Sequence, residues 1–75
     1  MLFPNPAQEK LFIQSKSYHL ENVPYVIYNL RGAVMQQGTV SANIPINISA
    51  ISTGSYVVVL SLSEGESVVK RFVKE

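Results

Sequence analysis

The chain predicts an all-β fold, an immunoglobulin-like antiparallel β-sandwich of about seven short strands. Three observations lead to it. Apolar segments of strand length recur between turn signals, their content is β-branched and aromatic, and no stretch keeps helical spacing. With 47% hydrophobic residues in 75, the chain has the apolar content that a disordered segment lacks. So short a chain buries only about 60–65% of its unfolded surface. The expected stability is correspondingly small, about 4–11 kcal/mol.

Residues 2–3 read as a short first strand, followed by Pro4-Asn5-Pro6, a rigid turn in which each proline fixes φ and biases its predecessor away from helix. Residues 11–14 form a second strand, with Leu11 and Ile13 on one face and Phe12 on the other. Polar Ser15, Lys16, Ser17, Glu21 and Asn22 bracket the loop after it. In residues 23–30 both faces are apolar, Val23, Tyr25 and Ile27 on one and Val26, Tyr28 and Leu30 on the other, which predicts a central strand. Pro24 cannot donate to a ladder, so it belongs at the strand's entry. Arg31-Gly32 turns the chain, and residues 33–40, interrupted by Gly38, return as the hairpin partner.

Ile44, Ile46 and Ile48 alternate with Pro45 and Asn47, the pattern of a half-buried strand whose proline marks an edge. Ile51-Ser52-Thr53-Gly54 is a turn in which Gly54 supplies backbone angles that a side chain forbids. Tyr56, Val58, Leu60 and Leu62 then share one face of a long strand. Ser63-Glu64-Gly65-Glu66 closes a second hairpin, and residues 67–74 run back as the last strand. No internal repeat and no second domain is visible, so residues 1–75 are expected to be one domain. Met1 directly before Leu2-Phe3-Pro4 reads as a start placed within a linker, and the domain as a fragment of a longer protein.

The composition argues against most chemistries. There is no cysteine, hence no disulfide framework and no thiolate metal site. There is no aspartate, a usual orienter of a Ser-His pair and a usual calcium ligand. The single imidazole, His19, lies between Tyr18 and Leu20 with no ligand at metal spacing and reads as a loop or strand residue. Glu64 and Glu66 flank Gly65 at a hairpin tip, where solvated carboxylates have no reason to become an acid–base pair. Gly32, Gly38, Gly54 and Gly65 are scattered over separate turns and make no phosphate cradle. Asn47-Ile48-Ser49 matches the glycosylation sequon, a pattern short enough to arise by chance. No catalytic residue, no cofactor and no metal is therefore expected.

A net charge of +1 is too small to drive phosphate binding, which argues against nucleic acid. The longest apolar run, Tyr56-Val57-Val58-Val59-Leu60, falls far short of the ~20 residues of a membrane helix. No secretory signal opens the chain. Charge is nevertheless uneven, because Lys70, Arg71 and Lys74 are half of the six Lys and Arg.

Three pieces act jointly: Leu2-Phe3-Pro4-Asn5-Pro6 at the start, Tyr28-Asn29-Leu30-Arg31-Gly32-Ala33-Val34 in the middle, and Ile51-Ser52-Thr53-Gly54-Ser55-Tyr56 leading to Val68-Val69-Lys70-Arg71-Phe72-Val73-Lys74. In order and spacing they resemble the type A C-terminal sorting domain of the type IX (Por) secretion system of Bacteroidetes, over nearly the whole chain. The family more often has Tyr at the place of Phe3, Asp at that of Asn29 and Arg at that of Ala33. The resemblance implies a parent protein that crosses the inner membrane by its own signal, folds in the periplasm and is delivered by this domain to the outer-membrane translocon and its shuttle proteins. It implies surface attachment or secretion. A cell-surface sortase commonly removes such a domain at a site just before it, here upstream of Met1 or within residues 1–3, and some members keep it.

Within the resemblance, Pro4, Asn5, Pro6, Gly32 and Gly54 read as turn formers, and Tyr28 and Tyr56 as packing residues with hydroxyls at the rim. Lys70, Arg71, Phe72, Val73 and Lys74 are the candidate translocon-recognition residues. The basic ones have an equally good reading as a solvated strand face that discourages aggregation. The alternative function is an immunoglobulin-like carbohydrate-binding or adhesive module acting through its loops, which however lack exposed Trp or an aromatic–Asp cluster. A plain spacer is a third. Terminal edge strands also make a strand-swapped homodimer an expectation.

Overall fold

The computed structural model describes residues 2–3, 9–13, 20–42, 44–62 and 65–75, with the side chains of Leu2 and Phe3 excepted. The described residues form β1 (Leu2–Phe3), β2 (Lys10–Ile13), β3 (Val23–Asn29), β4 (Val34–Val40), β5 (Ile46–Asn47), β6 (Gly54–Ser61) and β7 (Ser67–Lys74). They lie in two antiparallel sheets, β1-β2-β5 and β4-β3-β6-β7. The chain is an all-β sandwich, as its alternation of β-branched and aromatic residues predicts.

Alternation decides which residues meet between the sheets. Leu11, Ile13, Ile46 and Ile48 come from the smaller sheet and its flank, and Tyr25, Ile27, Tyr56, Val58, Leu60 and Phe72 from the larger one, in a single buried cluster. Phe72, Leu11, Ile27, Ile48 and Val58 are wholly enclosed. At about 25 cal/mol per Å² of apolar surface, each such side chain contributes about 1.5–3 kcal/mol, and these residues dominate so small a core. Gln36 adds a polar tie. Its Nε2 donates to the Tyr25 hydroxyl at 3.0 Å and to the Asn47 carbonyl at 2.8 Å, joining β4 and β3 to β5 across the sandwich.

β3 is central, with β4 on one side and β6 on the other. Pro24 sits where predicted, at the entry: it is opposite Thr39 of β4, and the β6 ladder begins only at Tyr25. Gly38 lies across from Tyr25, and a Cβ there would come within 3.1 Å of the Tyr25 ring. The apparent interruption of β4 is thus the space that the ring occupies. A register shift between Ile27 and Tyr28 leaves Met35 as the extra residue of β4, since Ile27 pairs with Gln36 and Tyr28 with Val34.

Several boundaries differ from the expected ones. Leu30 belongs to the turn and not to β3, and it is exposed. Of the predicted strand over 44–48 only Ile46–Asn47 is laddered, the ladder stopping at Pro45, which has no N–H to donate; Ile46 and Ile48 are buried but Ile44 is exposed. β6 begins at Gly54, two residues earlier than its apolar face suggests. Pro4, Asn5, Pro6, Gln14, His19 and Glu64 lie outside the described residues.

Candidate functional site

The middle and last motifs meet at one end of the larger sheet. Asn29 pairs with Tyr56 and Gly54 pairs with Lys74, so the 29–33 turn, the 51–54 turn and the end of β7 lie side by side. A shallow hollow there is lined by Asn29, Leu30 and Arg31 from one turn and Thr53 to Tyr56 from the other.

Each turn is built by its own residues. Asn29 Oδ1 accepts from the Arg31 and Ala33 amides at 2.9 and 3.0 Å, and the Asn29 carbonyl accepts from the Gly32 amide at 3.0 Å. Gly32, at φ +87°, occupies a region where a Cβ is disfavoured. An aspartate at position 29 would accept the same two bonds, so Asn in its place keeps the turn. In the second turn the Tyr56 hydroxyl donates to the Ser52 carbonyl at 2.6 Å, four residues upstream, in the manner of the tyrosine corner of immunoglobulin-like sandwiches. The Tyr56 ring stacks on Phe72, centroids 5.7 Å apart, and so joins this turn to β7. Gly54 stands at φ +149°, as its predicted role requires.

The basic residues of β7 are not one face. Alternation places Lys70, Phe72 and Lys74 on one side of the strand and Arg71 and Val73 on the other. Phe72 is buried in the core. Lys74, read from the sequence as part of a solvated basic cluster, is only 9% exposed, and its Nζ donates to the carbonyls of Ile51 and Ser49. The ammonium closes the 48–51 turn from beneath. The signal for this was present: Lys74 is two residues beyond Phe72 on the same face, and a long aliphatic stem can cross an apolar layer to reach polar atoms. Lys70, Arg71 and Val73 are exposed. Tyr28 is half-buried on the outer face of the larger sheet, opposite to the core side on which Tyr56 lies.

The sequence reading passed over Asn29 as an organiser of its turn, Gln36 as the tie between sheets and the apolar outer face of β6. The last was legible in Val57 and Val59, which continue the apolar run on the side away from Tyr56, Val58 and Leu60.

No group of His, Cys, Asp and Glu among the described residues could hold a metal ion. No described helix is long and apolar enough to cross a membrane. The fold and the site define a small β-sandwich with two turns and the end of β7 side by side at one end of its larger sheet. A family model for the secretion system C-terminal sorting domain matches residues 1–75, and the chain belongs to this family, the sorting domains of type IX secretion. No curated protein and no solved structure matches the chain significantly. The family is one of sorting signals and not of enzymes, and it implies interaction with the type IX machinery and with a passenger, and export to the outer membrane, the cell surface or the medium.

Proposed function

We propose that residues 1–75 are one sorting unit that follows a passenger in the chain, crosses the periplasm with it, and is read by the outer-membrane translocon and its shuttle proteins through β7. The observation that carries this reading is topological: among the described residues β7 is the last strand of the larger sheet, next to β6, and an outer strand can accept another strand by main-chain hydrogen bonds. Lys70 and Arg71, both exposed, supply orientation and on-rate, and Val73 supplies apolar contact. Phe72 and Lys74 act from within by holding the strand to the core and to the 48–51 turn. A cell-surface sortase then removes the unit at a site before it and joins the passenger to lipopolysaccharide.

The test is a reporter ending in this chain, expressed in a type IX-competent host. Surface or medium delivery is expected for the unaltered chain, and periplasmic retention for a chain lacking residues 72–75. Because that deletion removes a core side chain, Lys70→Glu with Arg71→Glu is run beside it, and slower delivery is expected from a domain that is still folded. Undiminished delivery by both variants would sink the β7 reading.

A further inference from the structure

The larger sheet is apolar on both faces. One face is the core side. On the other, β-pairing sets Val34, Tyr28, Val57 and Arg71 in one row across the four strands, and Gln37, Val26, Val59 and Val69 in the next. Val73 follows beside Ser55. Val69 and Val34 are more than half exposed, at 59% and 54%, and Val73 is 41% exposed. Antiparallel sheets with one wet face normally alternate apolar and polar residues, whereas a sheet apolar on both faces is the pattern of one covered on both. A contiguous apolar patch of a few hundred Å² on a small protein marks an interaction surface.

We propose that this outer face docks a protein surface of the type IX machinery that is apolar and carries a carboxylate opposite Arg71. The inference rests on the sorting reading and extends it from the β7 edge to the outer face beside it, with Arg71 and Val73 shared by both and Val26, Val57 and Val59 belonging to the face alone. Charge selects the occupant. Among the described residues of the two rows Arg71 is the only charged side chain, so a second copy stacked on this face would bury two guanidinium groups with no carboxylate in the contact, a costly arrangement. A partner carboxylate would instead form a charge-assisted pair with it. Position argues against the passenger, because a passenger joined ahead of Leu2 enters through β1, in the other sheet.

The experiment uses the same reporter with Val26→Thr and Val59→Thr, which keep β-branched shape on strands that are not the edge, and with Arg71→Lys and Arg71→Glu. The double threonine variant is expected to cut delivery about tenfold, the effect of losing a central apolar contact. Arg71→Lys is expected to deliver as the unaltered chain does and Arg71→Glu to deliver more slowly. Thermal unfolding of each purified domain checks folding. A photoreactive benzophenone side chain at Val59, in an otherwise unaltered reporter, decides the occupant independently of stability. Its crosslink to an outer-membrane component of the type IX machinery supports the proposal; a crosslink to a second copy, or to the passenger, overturns it. Undiminished delivery by the threonine variant overturns it alone, leaving the β7 reading in place. Failure of the unaltered reporter to leave the cell overturns the sorting reading, and this inference falls with it.

Discussion

Lys74 shows how a charged side chain can belong to the fold and not to its surface. Its ammonium donates to the carbonyls of Ser49 and Ile51 while its stem lies in the sandwich, next along the face from Phe72. Lys74→Met keeps the stem but withdraws the donor, and loss of a hydrogen-bonded partner from buried polar groups costs about 1–3 kcal/mol. Urea unfolding is expected to register that loss for Lys74→Met, and a change within about 0.5 kcal/mol for the exposed Lys70→Met. Equal effects at the two positions would refute the assignment. Asn29 makes a parallel case, since one Oδ1 holds two amides of the turn. Asn29→Ala should cost about 1 kcal/mol per lost bond, and Asn29→Asp, which still accepts both, should stay near the unaltered stability by the same measurement. The difference between those two variants separates an acceptor role from an amide-specific one.

At the scale of elements, β7 is at once the candidate recognition strand and a wall of the core. Phe72 is enclosed and stacked on Tyr56, and Lys74 is tied to the 48–51 turn, so removing residues 72–75 takes away an aromatic core side chain and a buried cation together. Loss of a buried Phe costs about 3–5 kcal/mol, comparable with the whole expected stability. Circular dichroism of the truncated domain is expected to show substantial unfolding at 37 °C, and a truncation that stayed fully folded would mean the core closes without β7. What could be read from the sequence follows the same division. Apolar residues on both faces located β3 as central, and period-two alternation set Tyr56, Val58 and Leu60 on one face, because side-chain direction in a strand is dictated locally. It overextended the strand over 44–48, since side-chain alternation runs on through Pro45 while the ladder, which needs an N–H there, is made only by Ile46 and Asn47. It left Lys74 in solvent because charge was weighed ahead of phase. Of the apolar outer face the β3 part, Val26 and Tyr28, was read and the β6 part, Val57 and Val59, was passed over.

The whole molecule interleaves its sheets: β5, of the smaller sheet, lies in sequence between β4 and β6 of the larger one. Like β1–β2 and β3–β4, the last two strands are consecutive and paired within one sheet. β7 folds back on β6 from the Ser61–Ser67 pair to the Gly54–Lys74 pair, through a turn closed by the Leu62 amide on the Glu66 carbonyl at 2.7 Å. Gly65 in that turn has φ +77°, which a β-branched residue adopts only at a cost of about 1–3 kcal/mol. A domain that gave its β7 to a second copy, and received that copy's β7, would keep every contact of the β6–β7 ladder while opening the turn. Strain at Gly65 therefore acts on the closed monomer and not on the exchanged dimer. Gly65→Val is expected to lower the concentration at which a dimer appears by about tenfold or more, a 1.4 kcal/mol shift being one decade in the equilibrium. Light scattering across a concentration series, on the unaltered domain and on the variant, reads this directly. A variant that unfolds at lower urea yet stays monomeric throughout the series would show that the turn absorbs the strain and that exchange of β7 is closed to this fold.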